Sequence, residues 1–146
     1  MIEKLEKSKP RCYVCSSGLK VEELIGVANR LSKKDKFVQL FDYDQKTIGR
    51  LLPAYMNALI REKEKQMRSN SVSKEMLALV AGKMNISKAI EKCGIKGGKK
   101  FLLFISDENL LKKSKKELRI SKMNSITLKF EYSEAGKVAI TPLIES

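Results

Sequence analysis

Phe101-Leu102-Leu103-Phe104-Ile105 is an unbroken apolar run that follows the basic glycine loop Lys96-Gly97-Gly98-Lys99-Lys100. A short continuous run bounded by such a loop predicts a strand covered on both faces. Upstream, Ile86, Ala89, Ile90 and Cys93 share one face of a predicted helix over 86–93. Asn85 supplies its N-cap and Gly94 its stop. Phe37 to Phe41 reads as another buried strand, and 11–15 as a third, ended by Ser16-Ser17-Gly18. Between them, Val21, Leu24, Ile25, Ala28 and Leu31 follow the helical spacing, which predicts a helix over 20–32. A long helix spans roughly 47–68, and it either starts near Pro53 or kinks there. The polar break Ser69-Asn70-Ser71 separates it from a helix at about 73–81. Downstream, 107–120 reads as a lysine-rich helix or loop. Alternation from Ile126 to Tyr132 and the turn Ser133 to Gly136 predict a closing hairpin with a last strand at 138–141. The expected fold is α+β (mixed α/β), a small mainly antiparallel sheet covered by helices.

Length and charge narrow the function. The chain has 146 residues, 30 Lys or Arg against 17 Asp or Glu, a net charge of +13 and no histidine. At this length one domain is the default, here 10–146 behind a charged lead-in over 1–9. The charge favours a polyanionic partner. The absent histidines remove the commonest general base and metal ligand. No stretch approaches the ~20 apolar residues of a membrane span. The charged first residues do not resemble a secretory signal. A cytoplasmic protein without membrane contact is expected, and its three cysteines suggest no disulfide framework.

Each candidate site has a plainer reading beside it. Cys12-x-x-Cys15 is too few ligands for structural zinc, and on a strand the two thiols face opposite sides. Buried, inert cysteines are expected, with no metal and no cofactor. The Gly97-Gly98-Lys99-Lys100 loop lies between a helix and a strand, the wrong order for a nucleotide phosphate loop. It is either a solvated turn or a contact to RNA phosphate. Arg61, Lys65 and Arg68 would form a basic stripe on the long helix, extended by Asn57 and followed by Asn70. Like charges at this spacing do not stabilise a helix. An anion-binding surface and a solvated face both remain open. Lys112, Lys113, Lys115, Lys116, Arg119 and Lys122 form the densest basic run, which reads as a solvated or loosely steering face. Met76 to Ala81 is apolar at every position, so that helix is either enclosed or offers a side to a partner. Leu77, Val80 and Met84 are the expected outward set, with the neighbouring region around Ile86.

The block Asn57-Ala58-Leu59-Ile60-Arg61, Glu75 with its apolar helix, Asn85-Ile86-Ser87-Lys88-Ala89 and Gly94-Ile95 resembles the CGI-type subunit of the KEOPS complex, the PRPK-binding protein family. The resemblance covers about a quarter of the chain and would suit an archaeal member. It implies a non-catalytic subunit, not an enzyme. Such a subunit binds the kinase-like ATPase subunit, joins the larger KEOPS assembly and recruits the tRNA acceptor end for threonylcarbamoyladenosine formation. The kinase surface is then expected at Leu77, Val80, Met84 and Ile86. The tRNA surface is expected at Asn57, Arg61, Lys65, Arg68, Asn70, Lys96, Lys99 and Lys100. The alternative is a kinase-binding regulator or scaffold without direct RNA contact.

Overall fold

The structure is a computed structural model that describes residues 10–33, 36–67, 69–83 and 85–128. In chain order the elements are β1 (Arg11–Ser17), α1 (Val21–Leu31), β2 (Val38–Asp42), α2 (Gln45–Lys63), α3 (Val72–Ala81) and α4 (Ile86–Cys93). They continue with β3 (Phe101–Ile105), a 3-10 turn (Glu108–Leu110), α5 (Leu111–Glu117) and β4 (Ile120–Ile126). The fold is α+β, and the four described strands pair antiparallel in the order β2-β3-β1-β4. The chain divides into two compact units. One is built on Asp44–Gly94, and the other joins the residues up to Tyr43 to Ile95–Thr127.

In the sheet unit, β3 is buried at all five positions, as its unbroken apolar run predicts. Burying each such side chain contributes roughly 2 kcal/mol. Tyr13, Cys15, Leu40, Phe101, Leu103 and Ile105 form one core with Leu24, Ala28 and Leu31 of α1. Ile25 departs from its expected face and is 39% exposed. The five apolar positions of α1 span a wider arc than the buried stripe, and Ile25 lies on its edge.

β4 occupies 120–126, where the sequence pattern places the end of a lysine-rich segment. Its partly buried residues, Ile120, Met123 and Ile126, recur every third position, which masks a strand. For Ile120 and Met123 the cause is a register shift in the β1–β4 pairing between Ser16 and Ser17. The bulge lets both Ile120 and Met123 pack on the same core. The expected hairpin falls outside the described residues beyond Leu128, and residues 127–128 are not in a strand.

In the helical unit, α2 runs through Pro53 rather than starting there. Its N-cap is Asp44, whose carboxylate accepts from the Lys46 N–H at 2.7 Å. α2 ends at Lys63, five residues earlier than expected. The Lys65 N–H donates to Glu62 O and the Gln66 N–H to Arg61 O, a Schellman closure. Lys65 takes the left-handed position (φ 57°) that glycine usually fills. α3 starts at the Ser71 cap and closes on Gly82, at φ 71°. Arg50 donates to Val80 O at 3.1 Å near that C-terminus, where a cation suits the helix dipole. α4 spans the expected 86–93, with Asn85 Oδ1 accepting from the Lys88 N–H.

Candidate functional site

The helical unit contains the block on which the resemblance rests, apart from its last residue, Ile95, which belongs to the sheet unit. Arg61 is not a free cation on a basic stripe. Its Nε pairs with Glu75 Oε2, and its Nη2 donates to Gln66 O at 3.0 Å. Glu75 is fully buried, and its other oxygen accepts from the Ser69 N–H at 2.9 Å. Together they tie the segment after α2 to the first turn of α3. A carboxylate there also suits the positive end of the helix dipole. Lys65 lies beyond the helix end, so no stripe joins it to Arg61. Arg68 lies outside the described residues. Asn57 is half-buried, and its amide donates back to Pro53 O at 2.9 Å. Lys65 and Asn70 are exposed.

The apolar helix α3 is enclosed. Leu77 is 4% exposed and Val80 is 0%, so the outward phase assigned to them is not the one the fold adopts. A helix apolar on every side gains most when all sides are buried, and here they are. Met84 lies outside the described residues. Ile86 is half-buried at the start of α4, and Ile90 one turn later is 49% exposed. Ala89 and Cys93 form the buried side of that helix. Ile90, expected on that side, is therefore the largest apolar exposure on this surface.

In the sheet unit, the glycine loop is held rather than free. The Ser17 N–H donates to Gly98 O at 2.7 Å. A Cβ at Gly98 would lie 2.5 Å from Ser17 O and 2.9 Å from Leu19 O, so the close approach requires glycine. The loop's lysines differ in their surroundings. Lys96 is 4.0 Å from the Asp42 carboxylate, a loose pair. The Lys100 ammonium stands 4.0 Å from the Tyr43 ring centroid, a cation–π contact. Lys99 is exposed. The lysine run lies on α5, the turn after it and the start of β4, and Lys112, Lys113, Lys115, Lys116, Arg119 and Lys122 are all exposed.

Cys12 and Cys15 are each 1% exposed and unpaired. Burial pushes both thiols up to about 12. Neither is a thiolate near neutral pH, which fits inert packing residues. No group of three metal-ligating side chains occurs among the described residues. No described helix is long and apolar enough to cross a membrane.

Sequence reasoning missed two kinds of residue. Ser17 anchors two loops through its N–H and its hydroxyl, both to backbone carbonyls, and such bonds leave no sequence pattern. Ile90 and Ile25 needed the helix phase, which only the neighbouring elements decide.

Residues 47–138 match the model of a family of kinase-binding proteins. The chain belongs to that family, described as kinase binding protein CGI-121. A comparison with curated proteins found no match.

Proposed function

We propose that this chain is a non-catalytic subunit of a KEOPS-type assembly. It binds the kinase-like ATPase subunit and presents tRNA for threonylcarbamoyladenosine formation. The observation that carries the reading is the family match over 47–138, which spans the whole Arg61–Glu75 region and α4. The net charge of +13 supports the RNA half of it.

The kinase contact is assigned to the outer side of α4, through Ile86 and Ile90. An exposed isoleucine flanked by polar residues is the kind of anchor an interface buries. Leu77 and Val80 support that surface from within. The tRNA contact is assigned to exposed residues of each unit separately: Lys65 and Asn70 in the helical unit, and Lys96, Lys99 and Lys100 in the sheet unit. Asn57 and Arg61 act through the local structure they hold. Met84 stays a candidate for the kinase contact and Arg68 for the tRNA contact, as the sequence spacing suggests.

Co-purification with the kinase-like subunit tests the first half. Ile90→Glu should weaken capture at least tenfold while circular dichroism stays unchanged. Undiminished capture overturns the α4 assignment. Failure of the native chain to bind the kinase overturns the whole reading. For the second half, about four neutralised single-strand phosphates give a slope of log K against log salt near −3. Trimming the terminal nucleotides of the tRNA should lower affinity. A flat salt dependence favours a scaffold without RNA contact.

A further inference from the structure

Two basic segments far apart in sequence are fastened to the same end of β1. The Ser17 hydroxyl donates to Leu118 O at 2.7 Å, while its N–H donates to Gly98 O. The Ser16 hydroxyl donates to Lys99 O at 2.7 Å. Ser17 is 8% exposed, so its bonds are shielded from water. The end of β1 therefore fixes the 96–100 loop and the 118–119 turn to one another.

Beside this point lies an open cleft of about 430 Å³. Its apolar lining is Leu19 and Val27, and its cations are Arg30, Lys116 and Arg119. Two carboxylates also line it, and both are engaged. Glu117 pairs with Arg30 at 2.9 Å. Glu23 accepts from the Lys20 N–H at 3.1 Å. Lys116 and Arg119 have no ion-pair partner among the described residues. Arg119 is also held in the left-handed region, at φ 50°, with its N–H on Lys116 O. That backbone costs roughly 1–2 kcal/mol for a side chain other than glycine. The cations continue along α5 as exposed Lys112, Lys113 and Lys115.

We infer that this cleft holds the phosphodiester backbone of RNA without reading its bases. An arginine fork and a lysine point charge match phosphate oxygens. No aromatic ring lines the cleft, so it offers no platform for a base. A row of cations running past the cleft suits a repeating anion better than a single carboxylate. The inference rests on the RNA-binding reading above and extends it, within the sheet unit, to the surface that adjoins the 96–100 loop.

The test uses the full chain and a blunt RNA duplex, which has no acceptor end. Binding is titrated against salt for the native protein and for the double variant Lys116→Gln/Arg119→Gln. The variant should lose at least tenfold in affinity at low salt, and its slope should flatten by about 2. The charge-preserving pair Lys116→Arg/Arg119→Lys should keep the native slope. An unchanged slope in the glutamine variant overturns the inference. So does an equal loss in the charge-matched control Lys46→Gln/Lys88→Gln, at two exposed lysines outside the cleft, which would make the effect one of net charge. Polyglutamate binding that depends on the same two residues, with duplex binding unaffected, overturns it in favour of an acidic protein. If the native chain shows no preference for an intact tRNA acceptor end, the acceptor reading fails while the duplex slopes still decide the cleft.

Discussion

Arg61 and Glu75 form an ion pair nearly withdrawn from water, with side-chain exposures of 16% and 0%. The pair joins the end of α2 to the start of α3 and holds the Ser69 N–H as well. Removing one partner strands the other charge in the interior. Breaking such a pair costs about 3 kcal/mol or more. Arg61→Ala should therefore lower the unfolding free energy by about that amount, read from the urea midpoint. Its tRNA salt slope should match the native slope once measured where the variant is folded. A variant that is stable yet loses one phosphate from the slope would return Arg61 to the RNA surface.

Lys65 has the opposite balance. Its left-handed backbone closes α2, and glycine adopts that conformation without strain. Glycine also adds freedom to the unfolded chain, which offsets part of the gain. Lys65→Gly should stabilise the protein by about 0.5–1 kcal/mol. Because the charge is lost, the slope of single-strand binding against salt should flatten by about 0.7. A stability gain with no change of slope would leave Lys65 as a solvated side chain.

These two neighbours show what the sequence could and could not reveal. α4 was legible to the residue, because Asn85 and Gly94 punctuate it unambiguously. β3 was legible because five apolar residues in a row fit a doubly covered strand. The end of α2 was not, since a left-handed lysine carries no signal where glycine is expected. β4 was hidden in part by its own bulge at Ser121, which sets the half-buried Ile120 and Met123 three residues apart on one core. The candidate site was less legible than the fold. Arg61 looked like a surface cation because its partner lies 14 residues away and inside the protein. Lys116 and Arg119 looked like an ordinary solvated run until Arg30 engaged the one carboxylate among them.

The thiols of Cys12 and Cys15 set a pH dependence. Burial raises both from 9.0 to about 12. The folded protein therefore keeps protons that the unfolded chain releases above pH 9. Their contribution to stability is fully present below pH 9 and is lost as pH rises from about 9 to 12. The urea midpoint should fall over that alkaline range. The variant Cys12→Ala/Cys15→Ala should start from a lower midpoint yet decline less steeply. At pH 8 a thiol reagent should label neither cysteine until denaturant is added. Labelling of the native protein at a rate independent of unfolding would contradict this burial.

Ser114 is a buried group with an evident cost. Its hydroxyl is fully buried in α5, and no hydrogen-bond partner among the described residues reaches it. An unsatisfied buried hydroxyl costs about 1–3 kcal/mol. Alanine removes that cost, fits the same space and is the better helix former. Ser114→Ala should therefore raise the unfolding free energy by about 1 kcal/mol or more, seen as a higher urea midpoint with an unchanged m-value. α5 also carries Lys116, so the same variant should bind the blunt RNA duplex with the native salt slope. A lower midpoint would mean that the hydroxyl is satisfied in solution, by a water or by a residue outside 10–128.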